Sequence, residues 1–515
     1  MFYSSFITAK DGSAVPVLQN GKPLHSKYSP RQEAERFATL QAENDFFVIF
    51  GLCGGFHLSA LKKRFPHAFI LAVEESQADI DFLKEGAQEV RGLLENGSGI
   101  AACSIRELAE RLLSLYLPAL YPRLGLAAHS VWAQENKSAY DHAQNAVQDA
   151  LKKISADFSV QAHFGKIWTA NIMKNLSFAA EHQTKAIYSI PIHKTAVIVA
   201  AGPSLKQSLK ALKERTDDCY IIATDTAYKA LQRRSIAPDA VFSVDAQHVS
   251  FNHFSKRNGR ADKPQLFIFE LTANHSAVVH APRSAVVFTT SAHPLDRYAR
   301  AASPGAFFEA DSASGTVTIA ALDFALRAGF CRLRVIGADF SYADGKAYTE
   351  GTYLDDLYDG SASRTLPAEE QFSRLLHRVP LTSLSKSRHT TAVLASYQAA
   401  FEQWLQAHGA SCTRDGMEYH ISIDGRNRAP KETAAQGILK RTTFDSAHFF
   451  KELKNDAADL KTRATQTQLL PAEVSQNPLF APLLPLIAWY RTSVPNKALS
   501  EYVNLALNFI LRYTY

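Results

Sequence analysis

Hydrophobic residues along this chain gather into short unbroken runs, each followed by a turn and an amphipathic stretch. Phe46-Phe47-Val48-Ile49-Phe50 reads as a strand, then a glycine turn, a helix, and a second strand, Phe69-Ile70-Leu71-Ala72-Val73, ending at Glu74 and Glu75. Strand, helix and strand in that order predict a βαβ unit with a parallel pair. The centre is the most regular part, with apolar runs at 195–201, 220–223, 240–244, 266–269, 285–288 and 333–336. Runs that do not alternate with polar residues belong to strands buried on both faces, so a largely parallel α/β sheet is expected. Residues near 130–182 lack a glycine–proline cluster and read as long helices, with Trp168, Ile172, Leu176 and Ala179 at helical spacing. Beyond Gly345 a polar, aromatic-bearing stretch to about residue 390 reads as a long loop or lid. From 391 onward helical periodicity dominates, broken late by Pro471, Pro478, Pro482, Pro485 and Pro495. The expected fold class is α/β, divided as a Rossmann-like N-terminal domain (1–130), a helical connector (131–190), a central catalytic α/β domain with its lid (191–390) and a helical C-terminal domain (391–515).

Composition narrows the class. The 515 residues allow three or four domains of roughly 150 residues each. A hydrophobic fraction of 46% with 21% charged residues is ordinary for a globular protein. The net charge of +6 is spread without a Lys/Arg block, which argues against nucleic acid as a partner and at most helps attract anions. The five cysteines show no paired spacing and the histidines no ligand spacing, so neither disulfides nor a metal site is expected. The start, Met1 to Phe6, lacks the basic and apolar segments of a signal peptide, and the run 479–490 is too short and proline-broken to span a bilayer. A cytoplasmic protein without a membrane partner is the expectation.

Candidate chemistry sits where strands end. Gly202-Pro203-Ser204 follows the first central strand and opens a helix; Ser312-Ala313-Ser314-Gly315-Thr316 opens another. Free N–H groups at a helix start favour an anion, so each turn is a candidate phosphate site as well as an ordinary helix start. Thr224 and Asp225, and separately Asp245, place hydroxyl and carboxylate groups at strand ends. There they suit ribose hydroxyls, helix capping or a metal between phosphates. Asp339 is a further strand-end carboxylate, followed by Tyr342, Lys346, Tyr348 and Tyr353, which suit sugar contacts or lid packing. In the N-terminal unit, Gly51-Leu52-Cys53-Gly54-Gly55 with Glu74 or Glu75 about twenty residues on approaches a mononucleotide or adenosylmethionine fingerprint, without its full glycine spacing.

Together these motifs resemble the motility-associated factor (Maf) flagellin glycosyltransferases. The resemblance rests on Ala201-Gly202-Pro203-Ser204-Leu205, Thr224-Asp225, Pro238-Asp239 with Val244-Asp245, Ser314-Gly315-Thr316-Val317, and Gly337-Ala338-Asp339-Phe340. It extends more weakly to the Gly51–Gly55 turn and the helical C-terminal region. It implies a sialyltransferase-like central domain that moves a nonulosonic sugar, of the sialic, pseudaminic or legionaminic kind, from its CMP conjugate to Ser or Thr of flagellin. On that resemblance Gly202, Pro203 and Ser204 face the nucleotide phosphate, and Thr224 and Asp225 the ribose or cytosine. Ser314, Gly315 and Thr316 receive the phosphate or donor carboxylate, and Tyr342 and Tyr348 the sugar. This chain has Ser-Gly-Thr-Val-Thr where relatives often carry Ser-Gly-Ser-Val-Ala, which leaves the donor open.

The transfer needs a base for the acceptor hydroxyl. Asp339 is the first candidate and Asp245 the second, with His389 or a lid tyrosine also open. No cofactor is expected beyond the CMP-sugar, which is a substrate. Two other readings stand beside this one. The central domain also resembles an archaeal pterin diphosphokinase, which would use ATP and magnesium, and a non-catalytic flagellin-binding protein would keep the same fold.

Overall fold

The computed structural model describes residues 2–95, 99–182, 187–214, 217–255, 266–282, 285–312, 315–423, 438–440, 443–466 and 476–514. The chain forms two compact units, Met1–Gly165 with Ala457–Asn508, and Lys166–Asp456 with Phe509–Tyr515. Among the described residues no helix is long and apolar enough to cross a membrane.

The first unit opens with an antiparallel hairpin, β1 (Tyr3–Thr8) and β2 (Ala14–Leu18). A parallel sheet follows from β3 (Phe46–Phe50), β4 (Phe69–Glu74), β5 (Ile100–Ser104) and β6 (Leu124–Ala128), in the order β5-β4-β3-β6. Every residue of β3 is buried, as an unalternating apolar run requires. The sheet reverses its winding direction between β3 and β6, where a doubly wound fold ordinarily opens its ligand crevice. The expected Rossmann-like domain is present.

In the second unit, β7 (Ile187–Ser189) pairs at a distance with β20 (Ile438–Lys440). The main sheet contains β8 (Thr195–Val199), β9 (Cys219–Thr224), β10 (Ala240–Ser243), β11 (Leu266–Glu270), β12 (Val286–Thr290), β13 (Phe308–Glu309) and β14 (Arg332–Ile336). These seven run parallel in the order β13-β12-β11-β10-β9-β8-β14. Helices Leu205–Lys213 and Asp225–Gln232 cover one face, burying Leu205, Leu209, Ala227 and Leu231 against Val197, Val199 and Ile221. Helices Val317–Ala328 and Ala392–Ala407 cover the other, with Phe324, Phe401 and Trp404 in the same core as Ile198 and Phe242. Small strands β15 (Tyr342–Ala343), β16 (Thr382–Ser383) and β17 (Arg388–Thr390) form a separate three-stranded sheet.

Three expectations are corrected. Residues after 391 are not all helical, because β18 (Ala410–Asp415) and β19 (Glu418–Ile423) form a hairpin that extends the main sheet antiparallel to β14. The 345–390 stretch is not a bare loop: it folds helices Tyr353–Ser361 and Ala368–His377, bracketed by Gly351, Gly360, Pro367 and Pro380. The C-terminal helices are not one separate domain, since 391–456 share the central core and 457–508 group with the first unit. The connector is a short helix, Ser130–Glu135, followed by one 46-residue helix, Lys137–His182.

Two glycines set how closely β8 and β14 approach beyond their ends. The Gly202 N–H donates to the Gly337 carbonyl at 2.8 Å, and the Ala200 N–H to Ile336 at 2.8 Å. A Cβ on Gly337, whose φ is +73°, would lie 2.3 Å from the Ala200 carbonyl oxygen, whereas one on Gly345 (φ +72°) would meet open space. Gly345→Ala should therefore cost only the strained backbone, about 1 kcal/mol. Gly337→Ala adds a backbone clash and should cost about 3 kcal/mol. Denaturant unfolding of the two variants checks the difference.

The hairpin is fastened by Glu418, which accepts hydrogen bonds from Ser208 and, at 2.8 Å, from Arg334 Nε. Burial alone would raise this carboxyl, but those donors outweigh it and hold it below its ordinary value of 4.5. A folded-state value below the unfolded one means stability that is present above pH 4.5 and lost as pH falls through the lowered value. Glu418→Gln should remove about 1 kcal/mol at neutral pH and flatten that acid-side loss, measurable by unfolding midpoints across acidic pH.

Candidate functional site

The residues proposed for the site separate into two groups along the carboxyl edge of the main sheet. The first lies at the β8–β14 reversal. Asp339, after β14, projects its Oδ2 to the Ser204 N–H at 2.8 Å. A Cβ on Gly202 would lie 2.5 Å from that same oxygen, so glycine is required by the carboxylate and by the Gly337 carbonyl. The helix Leu205–Lys213 thus begins against a carboxylate of its own chain, an anion at the positive end of its dipole. Pro203 occupies the preceding turn, and the Ser204 hydroxyl makes no capping bond. Asp339 is 9% exposed, and its other oxygen, Oδ1, is buried without a hydrogen-bond partner.

The second group surrounds Asp245. Thr224 caps the helix Asp225–Gln232 by accepting from the Ala227 N–H, and Asp225 is buried, accepting from Thr226 N–H at 2.6 Å and Ser243 Oγ at 2.7 Å. Both side chains are committed to the turn. Asp245 is part-exposed and accepts from the Gln247 N–H at 2.9 Å. His253, Tyr353 and Tyr397 all lie close enough to feel its charge. Burial lowers the His253 imidazole, and Asp225 and Asp245 oppose that shift. Burial pushes the Tyr353 phenol up to about 12, helped by Tyr348, and raises Tyr397, helped by Asp245. Tyr348, exposed as a residue, has a phenol raised first by desolvation and then by Tyr342, with Arg378 and Asp225 also acting on it. Tyr342 thus lies near enough to Tyr348 to act on its phenol. His389 pairs with Tyr342 across β15 and β17.

Gly315 adopts φ +71° and faces Tyr397, whose ring would be 3.6 Å from an added Cβ. Thr316 caps the helix Val317–Ala328 by accepting from the Thr318 N–H. Ser314 lies outside the described residues. Near Ser312 lies Glu270, a buried carboxyl raised by desolvation that accepts from Thr272 at 3.0 Å. Asp225 and Tyr397 thus act on Tyr348 and Asp245 on Tyr397, against which Gly315 lies. The first group meets them through the lid, because the Thr349 N–H, next to Tyr348, donates to the Ala201 carbonyl at 2.8 Å. Lys229 holds the lid helix down through Asp356 at 2.6 Å.

Several of these positions carry no local motif. His253 and Tyr397 sit in segments that read only as apolar helix. Asn171 and Asn175 were hidden in the stripe of Trp168, Ile172 and Leu176. Their carboxamides donate to the carbonyls of Ala246 and Thr272, and of Leu271 and Ala273, at 2.9–3.0 Å. Two buried asparagines one helical turn apart therefore pin the loops after β10 and β11, and with them Asp245.

The Gly51–Gly55 turn of the first unit is filled by its own side chains. Glu74 is fully buried and accepts from Leu52 N–H (2.8 Å), Cys53 N–H (3.2 Å), Tyr3 Oη (2.6 Å) and Trp132 Nε1 (2.9 Å). The Gly54 N–H goes to His25 Nε2 at 3.0 Å, and a Cβ on Gly51 would strike Trp132 at 2.8 Å. A nucleotide phosphate has no free donors to meet there among these groups.

Fold and site define a doubly wound α/β protein with carboxylates and tyrosines gathered beyond its strand ends. Across 99% of its length the chain shares the fold of a Maf glycosyltransferase from Magnetospirillum magneticum AMB-1, with a TM-score of 0.53, 15% identity and 90% of that chain covered. Residues 170–345 match the family described as 6-hydroxymethylpterin diphosphokinase MptE-like. Two uncharacterized proteins of Treponema pallidum (strain Nichols) are also similar. One is 29% identical over 28% of this chain and 68% of its own length; the other is 28% identical over 48% and 75%.

Asn175→Ala should cost about 2 kcal/mol by leaving two buried carbonyls without donors. Because those carbonyls belong to the loop after β11, amide hydrogen exchange should rise there and around Asp245 before the sheet opens.

Proposed function

We propose that this chain is a cytoplasmic glycosyltransferase that moves a nonulosonic sugar from a CMP conjugate to Ser or Thr of flagellin. The fold shared with a Maf glycosyltransferase supports the class of reaction. The single observation that carries the assignment of roles is the part-exposed carboxylate of Asp245, set among His253, Tyr353 and Tyr397 beyond β10.

In this reading the bond between the anomeric carbon and the CMP phosphate breaks as the acceptor oxygen bonds to that carbon. Asp245 takes the hydroxyl proton, and CMP leaves as the anion. The turn at Gly315 and Thr316, opening the helix Val317–Ala328, faces the departing charge, and the free Ser204 hydroxyl adds a donor. Tyr348, Tyr353 and Tyr397 line the sugar's place and donate hydrogen bonds, since their phenols stay protonated. Asp339, first in line as base from sequence, instead fixes the Ser204 turn.

Co-expression with flagellin and a nonulosonic acid pathway should add the sugar's mass to intact flagellin. Asp245→Asn should cut that transfer about 100-fold or more with CMP affinity retained, while Asp339→Asn should cost far less. Binding of ATP in preference to CMP, with diphosphate transfer to a pterin, would overturn the proposal. So would co-purified flagellin of unchanged mass.

A further inference from the structure

The N-terminal unit holds a buried cluster that the reaction above does not use. His25, Cys53, His57 and His129 are all buried, none more than 5% exposed. One ligand atom from each of His25, Cys53 and His129 lies within 4.8 Å of the others. The three imidazoles form a triangle with ring centres 4.6, 5.3 and 5.8 Å apart. Ligands at 2.0–2.1 Å from one tetrahedral ion put imidazole centres about 5 Å apart.

The hydrogen bonding leaves a bare ring nitrogen on two of the imidazoles. His57 Nε2 donates to the Gly51 carbonyl at 2.9 Å, so in its neutral form Nδ1 is a bare acceptor, and that atom is buried with no partner. His129 Nδ1 is likewise buried and unpartnered, while its Nε2 faces Glu33 Oε1 at 3.7 Å. An imidazole oriented by a carboxylate or a backbone carbonyl on its far nitrogen is the usual outer support of a metal-bound histidine. His25 spends Nε2 on the Gly54 N–H and turns Nδ1 toward Glu33 Oε2 at 3.9 Å.

Cys53 adds two observations. In a turn where Gly51 and Gly55 take up positive φ, it is the one non-glycine residue that does so, at +49°, an arrangement that costs energy and fixes where the thiol points. Glu74 and Glu33 both act on that thiol, so a neutral set of nitrogen and sulfur ligands sits in a negative field.

We infer that His25, Cys53 and His129 bind a divalent transition-metal ion of the zinc class, His25 Nε2 exchanging the Gly54 N–H for the ion, with the His57 ring, 5.3 Å from that of His129, completing a structural site. Soft sulfur with imidazole selects such an ion over magnesium or calcium. The Cys53 thiol loses its proton to solvent as the ion enters, so the bound state carries a thiolate, and Glu33 and Glu74 balance the remaining charge. The site ties the segment before the helix Pro30–Thr39 to the glycine turn and to the end of β6.

The test uses the full chain, purified under reducing conditions with any polyhistidine tag removed. Elemental analysis should find about one zinc ion per chain. Cobalt(II) added to the chelator-treated protein should give intense visible bands and a thiolate-to-cobalt charge-transfer band. Cys53→Ala should abolish the latter, and Cys103→Ala, at another buried thiol of the unit, should keep it. The melting temperature should fall with chelator and recover with zinc. A folded chain with substoichiometric metal, no charge-transfer band under added cobalt and a melting temperature indifferent to zinc would overturn the inference. The wild-type spectra and melting curves decide it even where Cys53→Ala does not fold.

Discussion

Closure of the β8–β14 seam is the contact on which the central unit depends. Strands β8 to β13 spread to one side of β8; β14 and the β18–β19 hairpin extend the other. Nothing local joins the halves, since Gly202 and Gly337 are 135 residues apart in a chain numbered continuously from one to the other. Their N–H to carbonyl bond, with the Asp339 carboxylate over the Ser204 N–H, brings the backbones so close that neither glycine tolerates a side chain. A doubly wound sheet usually opens its crevice at such a reversal. Here the seam is shut by the chain itself, and the part-exposed carboxylate, Asp245, stands instead beyond β10.

The same solution appears in the first unit. Its reversal lies between β3 and β6, and Trp132, which follows β6, packs over Gly51, which follows β3. Glu74 takes the N–H groups of the turn, as Asp339 takes that of Ser204. In both units a carboxylate of the protein stands where a nucleotide phosphate often sits. A helix start whose N–H groups are satisfied internally serves the structure first.

What could be read from the sequence follows from how each signal is encoded. The parallel strands were legible because burial on both faces demands uninterrupted apolar runs, and Phe46–Phe50 or Thr195–Val199 can be little else. The hairpin was not, because Ala410–Asp415 lies at an edge with mostly exposed residues and carries almost no apolar pattern. Strand-end carboxylates were legible as candidates, yet their division of labour was not: whether Asp339 caps a helix or meets a substrate depends on a partner 135 residues away. Asn171 and Asn175 read as polar interruptions of an apolar stripe, and their purpose appears only when the loop carbonyls above them are in place. The His25, Cys53, His57 and His129 cluster was hidden because three segments far apart in the sequence deliver it.

Exposure then separates the two carboxylates under the proposed reaction. A small acceptor could reach a recessed base, but a serine or threonine on a folded protein approaches only as far as its own backbone allows. Asp245 is part-exposed and has one oxygen engaged by a local N–H, which leaves the carboxylate reachable from solvent. Asp339 is 9% exposed and holds the seam with one oxygen, so drawing it toward an acceptor would unfasten the helix start it caps. Under that reaction the base and the clamp of the seam are therefore different strand ends, one chosen by access to the acceptor and the other by confinement.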